Sequence, residues 1–98
     1  MIRHVVLFSA KDPADIDMLQ AALSHLAKIP EARRLEVGRN LKRDGLSVEI
    51  DLVVHGEFDD LPALERFKAH PIYAETITIV RPRREIRIAV DFESAASA

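Results

Sequence analysis

The 98-residue chain contains no cysteine, which excludes disulfide bonds, thiolate metal sites and a cysteine nucleophile. Glycine occurs three times. Gly38 and Gly45 stand isolated, so there is no glycine-rich loop to cradle a phosphate. Neither sign of charge dominates: 14 basic residues face 16 acidic ones, for a net charge of -2. No strong field therefore draws nucleic acid or an anionic membrane to the surface. A long apolar run is also missing. The N-terminal stretch is apolar only over residues 2–8 and is then broken by Lys11, Asp12 and Pro13, too short for a signal peptide or a membrane span. Cytoplasm is the expected compartment. Internal repeats and linkers are lacking too, so we expect one domain over residues 1–93 and a small-residue tail over 94–98 that frays.

What is present reads as an ordinary soluble globular composition, 48% apolar and 31% charged. So small a domain leaves apolar surface uncovered, and self-association is a natural way to complete its core. Residues 2–9 form a short Val/Ile-rich run expected to be a buried strand. Asp12 then suits an N-cap and Pro13 the first helical position. Ile16, Leu19, Leu23 and Leu26 recur at steps of three and four, predicting an amphipathic helix over about 13–28 that stops before Pro30.

Leu35, Val37 and Leu41 predict a second strand, followed by a polar turn with an Asp44-Gly45 signal. Val48, Ile50, Leu52, Val54 and Phe58 hold period two through a long third strand. Asp59 and Asp60 cap a second helix lined by Leu61, Leu64 and Phe67, which ends at Pro71. Residues 72–80 are ambiguous: Tyr73, Ile77 and Val80 have helical spacing, whereas the run Thr76 to Val80 has strand propensity. Residues 85–92 form the last strand. The order β-α-β-β-α-β is the ferredoxin-like, α+β arrangement: one antiparallel sheet with helices on one face.

Alternation divides each strand into two faces. Ile2, His4, Val6, Phe8, Leu35, Val37, Ile50, Leu52, Val54 and Phe58, with Val48, Ile86, Ile88, Val90 and Phe92, are expected under the helices. The opposite, mixed face carries Arg3, Val5, Leu7, Arg34, Glu36, Glu49, Asp51, Val53, His55, Glu57, Arg87, Ala89 and Asp91. Its apolar members predict a second copy packed sheet to sheet. An open sheet with one wet face is the alternative.

Several segments, in order, resemble the stress-responsive dimeric α/β-barrel (Dabb) family. They are Ile2-Arg3-His4-Val5-Val6-Leu7-Phe8, Glu36-Val37-Gly38-Arg39-Asn40, Asp51-Leu52-Val53, Glu57-Phe58-Asp59-Asp60-Leu61, His70-Pro71 and Val90-Asp91-Phe92. Together they span residues 2–92. The resemblance implies a ferredoxin-like subunit that pairs into a dimeric barrel. It implies a largely helical 72–80, and a pocket between sheet and helices within each subunit. Most members have no assigned activity; a plant member is a polyketide cyclase, and related barrels include monooxygenases that need no cofactor. The cyclase places a Tyr before the His-Pro step and a His after it. Here those positions hold Phe67, which has no hydroxyl, and Tyr73, a much weaker base than histidine at neutral pH.

His4 is the polar exception on an apolar strand face. It is a pocket base or a core histidine satisfied by a partner, with Tyr73 the expected one. The ligand-binding candidates are His4, Phe67, His70, Tyr73 and Leu52, and the acid/base candidates are His4 and Tyr73. His70 reads equally as a helix terminator. Asp51, His55 and Glu57 share a strand face, but their charges are expected to pair with arginines rather than to hold a metal. Arg81-Pro82-Arg83-Arg84 reads as a solvated turn. Three function classes follow. The favoured one is a homodimer that binds a small apolar or aromatic ligand without turnover. The second is a cofactor-independent enzyme acting on such a compound. Last is a nucleic-acid binder, disfavoured by negative net charge and by the lack of aromatics assigned to the open face. No metal, cofactor or membrane partner is expected.

Overall fold

The computed structural model of the chain describes residues 1–95. Strands β1 (Ile2–Ala10), β2 (Arg34–Arg39), β3 (Leu52–Phe58) and β4 (Arg84–Glu93) form one antiparallel sheet in the order β2-β3-β1-β4. Helices α1 (Ile16–Ser24), α2 (Leu61–Ala69) and α3 (Pro71–Val80) supply the second layer. This is the ferredoxin-like arrangement expected from the element order. The core lies between the layers, where Phe8, Leu19, Leu23, Ile29, Leu52, Val54, Phe58, Leu64, Phe67 and Val80 are buried. Among the described residues no helix is long and apolar enough to cross a membrane.

The helix predicted over 13–28 is three consecutive pieces. Asp12 accepts a hydrogen bond from the Ala14 N–H at 2.9 Å and starts a 3-10 turn over Pro13–Asp15. The α-helix follows, then a second 3-10 turn over His25–Lys28. The Ser24 hydroxyl bonds back to the Gln20 carbonyl at 2.7 Å where the helix tightens. Asp60 caps α2 by accepting from Ala63 N–H.

Residues 72–80 are helical, as the family resemblance implies and against their strand propensity. Pro71 begins α3, and the His70 ring accepts from Ile72 N–H at 3.1 Å as its cap. The hydroxyls of Thr76 and Thr78 bond back to the carbonyls of Ile72 and Ala74, so the helix satisfies them internally. Thr76 and Val80 are buried against the core, and packing of that stripe outweighs local preference.

Three strand expectations are corrected. β2 ends at Arg39, before Leu41, and β3 begins only at Leu52; Leu41 and Val48 are 83% and 47% exposed. The Asn40 amide holds the intervening loop by donating to the carbonyls of Ser47 and Ile50, both at 2.8 Å. The third correction concerns β4, whose faces are the reverse of those expected. Val5 lies opposite Val90 and Leu7 opposite Ile88, whereas His4 lies opposite Asp91 and Phe8 opposite Arg87. Cross-strand partners share a face. Ile88, Val90 and Phe92 therefore point away from the helices and are 50%, 53% and 47% exposed, while Arg87, Ala89 and Asp91 take the helix side. The open face thus does carry an aromatic residue, Phe92. A bulge lies at the start of β4, where three residues pass while β1 advances by two; buried Ser9 accepts from Ile86 N–H there at 2.9 Å. Of the expected tail over 94–98, residues 96–98 lie outside the described residues, and Ser94 N–H bonds to the Met1 carbonyl.

Candidate functional site

β1 is a central strand, and His4 stands on its helix side between Gly56 of β3 and Asp91 of β4. Gly56 makes room there: a Cβ at that position would come within 2.9 Å of the Phe58 ring. That ring fills the space instead. It meets His4 edge-on at 6.2 Å between centroids and Phe67 at 4.8 Å, and Phe67 meets Tyr73 at 5.5 Å. Such edge-to-face contacts fix ring orientation.

His4 is only 2% exposed. Its Nδ1 bonds to Asp91 Oδ1, not to Tyr73 as expected; Phe67 packs against both rings. An ionised carboxylate only accepts, so Nδ1 carries the proton. In the neutral ring Nε2 is then a bare acceptor, and among the described residues it has no protein partner. Burial is the main influence on the imidazole and pushes its pKa below the ordinary histidine value. Asp91 opposes that shift, and the positive charges of Lys68 and Arg87 reinforce it. The ring is neutral near pH 7, oriented by a carboxylate and basic at its free nitrogen.

A cleft opens above it, lined by His4, Leu23, Leu26, Phe67, Tyr73, Ile77 and Arg87 with strand residues Val6, Phe8 and Val54 as floor. Its interior space is about 20 Å³, room for one water, and about 320 Å³ with the open mouth included. A molecule larger than water would need lining side chains to move. A separate hollow of about 300 Å³ lies on the outer surface between α1 and α3, bordered by His25, Lys28 and Glu75. It holds none of the chemistry-bearing groups of the His4 cleft.

Of the residues picked from sequence, His4, Phe67 and Tyr73 come together in this cleft. His70 and Leu52 are not among its lining residues: His70 caps α3, and Leu52 is fully enclosed in the core. Asp51 accepts from Ala10 N–H and Lys42, His55 lies 3.7 Å from Glu36, and Glu57 pairs with Arg3 at 3.1 Å. Among the described residues no group of three or more His, Asp or Glu is placed to hold a metal ion. Sequence reasoning missed Asp91, Arg87 and Gly56. The first two were hidden by the reversed reading of β4. Gly56 had a visible sign, as the one small residue interrupting the apolar alternation from Leu52 to Phe58.

A family model described as the Stress responsive A/B Barrel Domain matches residues 2–94. The chain belongs to the Dabb family. No curated protein matches it at a significant level. Among solved structures, a protein from Arabidopsis thaliana superposes with a TM-score of 0.83 at 20% identity, covering 100% of this chain and 99% of that one. A dimeric ferredoxin-like protein of unknown function from Thermobifida fusca is 29% identical, with a TM-score of 0.79 over 93% of this chain and 88% of its own. A hydroxynitrile lyase from Passiflora edulis shares the fold at 18% identity, TM-score 0.79, over 99% and 96% of the two chains. The same fold is thus found in an enzyme and in a protein of unknown function.

Proposed function

We propose that this Dabb protein is a homodimer that binds a small apolar or aromatic ligand in the cleft between sheet and helices, with His4 as its polar anchor. The observation that carries this reading is the His4–Asp91 pair, whose imidazole lines a cleft that is apolar apart from Tyr73 and Arg87. Burying an imidazole and orienting it with a carboxylate is costly for a group that only fills space; a leucine would pack there without either. Nε2 then accepts a hydrogen bond from a ligand hydroxyl, while Phe67 and Tyr73 meet its apolar body. The open sheet face supports the dimer: Ile88, Val90 and Phe92 form an apolar strip beside Val5 and Leu7. The dimeric relative from Thermobifida fusca points the same way.

Acid–base turnover without a cofactor is the second reading, favoured by the same pair. A base needs a fixed tautomer with its free nitrogen aimed at substrate, and Asp91 supplies that for His4. Tyr73, in the same cleft, is the candidate for a hydroxyl donor.

Thermal-shift screening of small aromatic and aliphatic compounds tests both readings. Ligands are expected to stabilise the wild type and to lose most of that effect in His4→Gln. A screen in which nothing stabilises the wild type sinks the ligand reading. Conversion of a stabilising compound by wild type but not by His4→Gln moves the protein from binder to enzyme.

A further inference from the structure

We infer that the cleft is selective for an organic anion: a small carboxylic acid whose apolar body enters between the helices and whose carboxylate meets Arg87 at the mouth. This rests on the cleft being a ligand site, and goes beyond that reading by naming the ligand's charge. The first observation is placement. Arg87 lines the cleft itself, on the same side of β4 as Asp91, and is half-buried.

The second observation is an imbalance of charge. Lys68 from α2 and Arg87 from β4 both lie near enough to disfavour a positive charge on His4. Arg84, also half-buried, senses Arg87, Arg81 and the Tyr73 phenol. Among the described residues, Lys68, Arg84 and Arg87 make no ion pair and no side-chain hydrogen bond. Elsewhere several cations are matched, as in Arg3 with Glu57, Lys42 with Asp51 and Arg33 with Asp59, and others that lack an ion pair among the described residues, such as Lys11, Lys28 and Arg43, are exposed to water. Asp91 is the one carboxylate acting on His4, and it is already engaged by Nδ1.

Cations gathered without counter-charges repel one another, and partial burial raises the cost. A carboxylate answers that repulsion. Arginine binds it through two parallel N–H···O contacts, at roughly twice the strength of neutral hydrogen bonds. The cleft is also lined by apolar Leu23, Leu26 and Ile77, so the remainder of the ligand, apart from any group that meets His4, is hydrocarbon or aromatic.

The test compares acids with their uncharged amides on the intact protein: benzoate against benzamide, and octanoate against octanamide, by calorimetric titration at low salt. In the wild type each acid is expected to bind roughly tenfold tighter than its amide. In Arg87→Gln that ratio falls toward one while amide binding persists. Lys68→Gln, altering a partly exposed helix residue, gives a smaller loss in the same direction and serves if Arg87→Gln fails to fold. Amides that bind the wild type as tightly as the acids overturn the charge assignment and leave the cleft standing. Acids that keep their advantage in both variants overturn it as well. If neither acids nor amides bind, the ligand site and the anion assignment fall together.

Discussion

At the scale of single residues, His4 carries the most consequence. Its folded pKa lies below the ordinary value because burial disfavours the cation. A depressed pKa contributes stability that is fully present above the unfolded value, about 6.5, and is lost as pH falls through the folded value. Urea unfolding at pH 7.5 and 5.5 is expected to show the wild type losing stability on acidification, and His4→Gln losing less. Asp91 raises the His4 pKa, so Asp91→Asn widens the gap to the unfolded state and deepens the acid loss. An acid response in His4→Gln equal to the wild type's would show that another group governs it. Gly56 yields a second prediction. Its missing side chain is where the Phe58 ring sits, 2.9 Å from an added Cβ. Gly56→Ala should cost about 1–3 kcal/mol by overpacking, read as a lower midpoint in thermal unfolding. An unchanged midpoint would mean that the ring gives way freely.

Between α2 and α3 the chain turns on two residues. His70 ends one helix and caps the next, and Pro71 occupies the first position of α3 without a wasted N–H. His70→Ala removes the acceptor for Ile72 N–H and should cost about 0.5–2 kcal/mol in chemical denaturation. Because the His70 ring is spent on that cap, the same variant is expected to bind cleft ligands as the wild type does. Loss of ligand binding at full stability would place His70 in the site after all. β4 shows the complementary lesson. Its alternation is clear in sequence, but alternation says only that two faces differ. Which face meets the helices is set by the register with β1, and the bulge beside Ser9 fixes where that register starts.

Over the whole molecule, the reversed β4 strengthens the case for association. Its apolar residues line up with Val5 and Leu7 instead of joining the core, leaving an edge strand with an exposed hydrophobic face. Val90→Lys puts an unpaired charge in the middle of that strip. Sedimentation at micromolar concentration is expected to show the wild type at twice the monomer mass and the variant shifted toward the monomer. A wild type that sediments as a monomer would leave the strip without its proposed partner.

Much of this protein is written locally. Caps at Asp12 and Asp60, prolines at the starts of helical segments, and period-two runs in β1 and β3 are short-range features, so the element order and ferredoxin-like architecture were legible from them. His4 was legible too, as a polar residue in an apolar alternation. Its partner was not. Asp91 lies 87 residues away, and only the pairing of the two terminal strands brings the groups together. The helical fate of 72–80 was also decided by packing, since burial of Thr76 and Val80 under the sheet overrides the preference of β-branched residues. Sequence determined which segments would fold and where the capped helical segments would begin. Tertiary structure decided which faces met, because the pairing of β4 with β1, offset by the bulge beside Ser9, sets which row of β4 lies on the helix side, and that register brought Asp91 to His4 and Arg87 into the cleft.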